Sequence, residues 1–306
     1  MSLIVTSTSG TYVLDDCISL RFEKERYTPY TLLEGQWYAP NIIPSEIISV
    51  SLTLGGKGIH YGYPTLAQFI NKDGKQILKL RSKGYTDALS RNQPTAGLVP
   101  DVTLDSLANS AIICPNISYE ANTPEVRYVN YYDGTSIWDA IVCYSIRAYG
   151  LYPYIRGANT VRISRPYDIG IVSIASTSLL SKGTGNDYSN LISAISESEI
   201  TGEANAFNTI DSFAVSRNIV RKKEIPFDRE WIMDPELGLK KRIDFSKRGV
   251  TYDFFTVLGY PGADLLDQFV ISDLGYVGEV SKIVITASQE NPVSTQIYCY
   301  HDAYCA

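Results

Sequence analysis

At 306 residues the chain exceeds the size that one hydrophobic core usually serves, so two or three domains are expected. Its hydrophobic content of 44% is that of an ordinary globular protein, and its apolar runs fall far short of a membrane span, which speaks against membrane insertion. A formal charge of −6 weighs lightly against affinity for nucleic-acid backbones, and 23 Tyr against 9 Phe suit β-sheets and half-buried contact surfaces.

The opening "MSLIVTSTSG" lacks a positive start, a long apolar core and a cleavage site, so no secretory signal is expected. The following residues alternate with period two. "CISLRFEKER" sets Ile18, Leu20 and Phe22 against Ser19, Arg21 and Glu23, and "IISVSLTLGG" sets Ile48, Val50, Leu52 and Leu54 against Ser49, Ser51 and Thr53. With "NKDGK" as hairpin turn between "LAQFI" and "QILKL", these half-buried strands predict a small barrel or sandwich. "DVTLDSLANSAI" then predicts a short helix capped by Asp101 or Thr103.

Ser136 and Asp139 have the spacing of a capping box, which marks a helix start. Ile137, Trp138, Ala140, Ile141, Val142, Tyr144, Ala148 and Tyr149 fall on one broad apolar face, while Asp139, Cys143 and Arg147 climb the opposite side, which is expected to be wet. Gly150 stands at a left-handed C-cap, and "YPYI" and "TVRIS" around "RGAN" predict a hairpin. The apolar face is too broad for a free helix, so the unit must dock on its hairpin or on neighbouring domains.

From Arg165 to Phe227 the Ser-, Gly-, Asn- and acid-rich stretches fit either an ordered loop with a helix or a mobile insertion. "DPELGLKKRIDFSKRG" is helix-compatible and basic on its outer positions. "YDFFTVLGYPGADLLDQFVISD", "GYVGEVSKIVITAS" and "TQIYCYHDAY" return to strands, with "QENPV" as a long hairpin tip.

Little points to chemistry. "GGKGIHYG" lacks the Lys-Ser ending of a phosphate loop, and GxSxG and HExxH are absent. His60 reads as a satisfied loop residue, and with His301 in another domain a catalytic triad would be strained. Cys17, Cys114, Cys143, Cys299 and Cys305 are odd in number and scattered, so they read as reduced thiols; Cys299, His301 and Cys305 lack the CxxC pattern of a metal site. The carboxylate pairs Asp15 and Asp16, Glu197 and Glu199, and Asp264 and Asp267 have the residue types of a glycosidase but read as solvated turn charges. No catalytic residue, metal or cofactor is assigned.

Three stretches resemble the baseplate hub proteins of contractile phage tails, the family of late-control proteins and type VI spike hubs. "NKDGKQILKLRSKGYTDALSRNQP" is similar to a strand pair of the family's first barrel. "VRYVNYYDGTSIWDAIVCYSIRAYGLYPYIRGANTVRIS" is similar to its inserted helix-and-hairpin module, and "LGYPGADLLDQFVISDLGYVGEVSKIVITASQENPVSTQIYCY" to the closing strands of its second barrel. The resemblance implies a mainly β fold with an α+β insertion: two small β-barrel domains related by pseudo-symmetry, at 1–97 and 166–306, and a small helix-hairpin module at 98–165. The segment around 181–210 departs from the pattern as a Ser/Glu-rich insertion.

The implied protein is a structural hub without enzymatic activity. It is a homotrimer whose ring adapts the hexameric tail tube to the trimeric central spike in a virion baseplate assembled in the host cytoplasm, with DNA only as passing cargo. A carbohydrate-binding or glycan-degrading tail protein is the alternative, and phage, tail-derived bacteriocin and secretion-system origins stay open.

Overall fold

Seven antiparallel strands come from the first 84 residues: β1 (Ser2–Ser7), β2 (Gly10–Leu14), β3 (Cys17–Glu25), β4 (Leu32–Tyr38), β5 (Ile47–Leu54), β6 (Lys57–Lys72) and β7 (Lys75–Gly84). The computed structural model describes residues 1–39, 42–72, 74–95, 97–110, 116–132, 134–198, 206–226 and 228–301. Period two holds where expected, with Leu20, Phe22, Val50, Leu52 and Leu54 buried. Ile48 is the exception, at 52% exposed. Thr6 of β1 faces Ser49 and Ser7 faces Ile47, so Ile48 is the extra residue of a bulge and turns outward.

The middle of the chain holds α1 (Ala88–Arg91), β8 (Gly97–Val102), α2 (Leu104–Ser110), β9 (Ser118–Tyr119), β10 (Val126–Tyr131), α3 (Ile137–Tyr149), β11 (Tyr154–Arg156) and β12 (Thr160–Arg162). Thr103 Oγ1 accepts from Ser106 N at 3.1 Å ahead of α2. At α3 the capping box is complete: Asp139 N donates to Ser136 Oγ at 3.1 Å and Ser136 N to Asp139 Oδ2 at 3.0 Å. Gly150 closes the helix at φ 69°, with its N–H on the Ile146 carbonyl. The hairpin follows as predicted, Tyr154 facing Arg162 and Arg156 facing Thr160.

The remainder supplies β13 (Ile171–Ser173), β14 (Leu179–Asn186), β15 (Ala194–Glu197), β16 (Phe207–Ile210), α4 (Ser212–Val215), β17 (Lys222–Ile225), α5 (Pro235–Ser246), β18 (Thr251–Leu258), β19 (Gln268–Ile271), β20 (Tyr276–Glu279), β21 (Lys282–Ser288) and β22 (Ser294–Tyr300). Part of the Ser/Glu-rich stretch is therefore sheet. Gly183 and Gly185 of β14 lie opposite Phe254 and Tyr252 of β18, whose rings cover the space a Cβ would fill, 2.7 and 2.4 Å from it. Aromatic cover of strand glycines supplies the apolar contact that the glycines themselves lack. Two further strands of the stretch, β15 and β16, join β17 in a small sheet, β16-β15-β17, packed on α5.

The fold is mainly β with an α+β insertion. Strands from both ends of the chain join in one eleven-stranded sheet, ordered β14-β18-β22-β21-β3-β4-β7-β6-β5-β1-β2. The join is the antiparallel pair β3 and β21, with Phe22 facing Ile285. From it β4, β7 and β6 run one way and β22, β18 and β14 the other. The ladder is open, and no closed barrel forms among the described residues. Both halves feed one core, in which Leu3, Trp37, Val50 and Leu78 meet Phe255, Phe269, Ile283 and Ile297. A second core, centred on Trp138, Ile141 and Tyr144 of α3, belongs to the middle module and takes in Trp231 from beyond it.

Candidate functional site

The "PGADLLD" loop before β19 carries Asp264 and Asp267, one of the candidate carboxylate pairs. Neither is a free turn charge. The Lys24 ammonium on β3, with its side chain 5% exposed, pairs with Asp264 and donates to the Gly157 carbonyl at 2.7 Å. Gly157 N returns a bond of 2.7 Å to the other Asp264 oxygen. Asp267, buried, accepts from Arg156 at 2.9 Å, from Gly170 N at 3.0 Å and from Asp264 N at 2.7 Å. Arg156 also donates to the carbonyls of Leu265 and Asp168. Every carboxylate oxygen here holds a structural donor, so the pair joins the sheet, the tip of the β11–β12 hairpin and the 264–268 loop.

The other pairs separate. Asp15 and Asp16 are exposed in the turn before β3. Glu197 is buried on β15, while Glu199 lies outside the described residues. Glu197 Oε1 accepts from Asp228 N at 2.8 Å, and Arg242 of α5 bridges Asp228 at 2.6 Å and Glu230 at 3.0 Å. Burial raises the carboxyl pKa of both Glu197 and Glu230 above the ordinary range.

The side of α3 expected to be wet is covered. Cys143 is 3% exposed, and burial pushes its thiol pKa up. The Arg147 guanidinium lies between rings, 3.8 Å from the Tyr128 centroid and 4.5 Å from that of Trp231. It donates to Tyr128 Oη at 2.7 Å, Asp234 at 3.3 Å and the Glu230 carbonyl at 3.3 Å. Residues 228–248 dock on this polar face, a partnership that α3's own sequence does not announce.

His60 is satisfied, as expected, but on strand β6 rather than in a loop. It is fully buried, with Nδ1 2.7 Å from Thr31 Oγ1 and Nε2 2.9 Å from Ser82 Oγ. Burial pulls its pKa down to about 3, whereas the unfolded chain protonates it near the usual value of about 6.5. Between those values the unfolded state binds the extra proton, so stability falls as pH drops. From pH ~6.5 to ~5, urea unfolding is expected to lose about 1.5 kcal/mol more in the wild type than in His60→Gln, which keeps both hydroxyl partners. Equal losses would mean that His60 does not titrate this way.

Cys299 is buried, His301 bonds Asp253 at 2.9 Å, and Cys305 lies outside the described residues, as does Cys114. Among the described residues no three His, Cys, Asp or Glu side chains cluster as metal ligands.

One face of the large sheet is cross-paired. Arg81 of β7 meets Glu34 of β4, and Glu34 lies in register with Arg21 of β3. Arg21 bonds Glu23 at 2.9 Å, Lys282 of β21 reaches Glu23 at 2.5 Å and Glu25 at 3.2 Å, and Tyr300 Oη of β22 bonds Glu25 at 2.8 Å. Each pair is weak and screened, and together they set Glu23, Glu25 and Glu34 against Arg21, Arg81 and Lys282 on this face. Tyr252, Phe254 and Tyr298 extend it toward β14. At its two ends, β14 and β2 each have one strand neighbour among the described residues, the state in which a sheet edge accepts another chain.

Solved structures share this fold. The tail protein from Neisseria meningitidis MC58 superposes with a TM-score of 0.69 at 14% identity, covering 99% of this chain and 97% of that one. The 43 kDa tail protein of prophage MuSo2 from Shewanella oneidensis gives 0.66 at 10% identity over 98% and 97%. The E. coli c3393 protein, a type VI secretion component described as structurally similar to the T4 tail proteins gp27 and gp5, gives 0.58 at 7% over 94% and 74%. The resemblance drawn from the sequence thus holds at the level of the fold. No protein-family model matches the chain, and no curated protein matches it.

Proposed function

We propose that the chain is a structural hub subunit of a phage or prophage tail baseplate, three copies of which form a ring between the hexameric tail tube and the trimeric central spike. The observation that carries this reading is the end-to-end fold match to two tail proteins. The sheet edges at β14 and β2 are compatible with it, because contact between unlike edges is head to tail, and head-to-tail contacts build a ring where the rotation between copies closes. In this reading 1–97 and 166–306 are the two domains whose strands share the large sheet, 98–165 is the module between them, and the ring assembles in the host cytoplasm as part of the virion tail. The cross-paired face suits a lumen through which DNA passes without sticking. We read the role as mechanical: of the carboxylates a glycan-degrading alternative would draw on, Asp264 and Asp267 are held in the joint and Glu197 accepts from Asp228 N.

Light scattering across a concentration series, alone and with the spike protein of the same tail, tests the proposal. The expected mass is three times the 34.0 kDa chain alone, or that mass plus the spike in the mixture. A monomer in both would overturn the ring.

A further inference from the structure

Between α3 of the middle module and the unit formed by β15, β17 and α5 lies a cleft of about 530 Å³. That is within the roughly 300–1,000 Å³ of ligand-sized sites. Its lining is about half apolar, with Val142, Ile146, Ile195, Ile225, Trp231 and Phe245 forming that part. Lys223, Lys241, Arg242 and Arg248 stand around it. Its acids are committed: Asp139 caps α3 and Glu230 pairs with Arg242. Arg248 donates to the Phe245 carbonyl and lies 3.8 Å over that ring, and no carboxylate among the described residues pairs with it or with Lys223, which is exposed.

The charge around the cleft opposes that of the molecule. Residues 217–248 hold ten of the chain's 27 Lys and Arg against six of its 33 Asp and Glu, so a basic region sits in a chain of net charge −6. An acidic partner is repelled by the rest of the surface and drawn to this part of it.

We propose that this cleft binds an acidic peptide segment of a partner protein, with an apolar side chain inserted against Trp231 and Phe245 and flanking carboxylates on Lys223 and Arg248. The site is separate from the sheet edges and does not depend on ring closure.

The test uses the full chain and a peptide labelled at its N-terminus, fluoresceinyl-Gly-Leu-Glu-Phe-Asp-Leu-Glu-amide, read by anisotropy. Saturable binding is expected, at least tenfold weaker for the counterpart carrying Gln and Asn in place of Glu and Asp. Raising NaCl from about 50 to about 500 mM should weaken it by a similar factor. Lys223→Glu, at an exposed strand position, should lower affinity about tenfold, while Lys79→Glu on the large sheet should not change it. Absence of saturable binding, equal binding of the neutral peptide, or indifference to Lys223→Glu would each overturn the proposal.

Discussion

Lys24→Met is expected to lower stability by about 3 kcal/mol, roughly 5 °C in melting temperature for a chain of this length. The ammonium is almost wholly out of water and holds Asp264 and the Gly157 carbonyl, groups more than 130 residues away from it along the chain. Removing one partner of a buried ion pair costs about 3–5 kcal/mol, because the other charge keeps its desolvation penalty without compensation. Asp264 retains the Gly157 N–H and is about a fifth exposed, which places the loss at the lower end. Asp264→Asn and the double variant complete a cycle. A coupling energy above ~1 kcal/mol is expected, since the two groups share one network. Urea unfolding measures all three, and a Lys24→Met loss under ~1 kcal/mol would show that the joint contributes contacts but little stability.

What the sequence made legible was local. Ser136, Asp139 and Gly150 lie within fifteen residues of one another, and each acts through its own backbone or a near neighbour's, so the helix and its ends were readable. Period two located Leu20, Phe22, Val50 and Leu52 for the same reason. Ile48 failed because a bulge is a property of two strands, and its partner β1 is forty residues away. Strand β14 was hidden because its glycines carry no pattern, and the rings that complete them stand on β18. The wet face assigned to Cys143 and Arg147 failed most instructively. Helical spacing says which residues share a face, and nothing about whether a distant segment covers it. The joint was half visible: Asp264 and Asp267 were marked as a pair, but their cations, Lys24 and Arg156, belong to other parts of the chain.

The covering segment gives the larger effect. Trp231→Ala is expected to cost about 4 kcal/mol, or roughly 6 °C, since truncation of a buried aromatic costs about 3–5 kcal/mol. Trp231 is 3% exposed in the core of the middle module, although it lies 82 residues past the end of α3. One of its faces meets the Arg147 guanidinium, and α5 approaches so closely that a Cβ on Gly238 would stand 2.5 Å from the indole Cγ. Truncation therefore opens a cavity and strips a ring from a guanidinium that stays largely buried, with Tyr128 as its remaining aromatic neighbour. Trp231→Phe, which keeps a ring over Arg147, should lose less than half as much. Melting followed by far-UV circular dichroism gives the size of the loss, and amide exchange of α5 gives its place. If Trp231→Ala frees the amides of α5 while those of β3 and β21 stay protected, the 228–246 segment is a separable strap across the module. If all exchange together, the strap is part of one cooperative unit, and the middle module is held to the large sheet from both sides: by Lys24 at the hairpin tip and by Trp231 on the far face of α3.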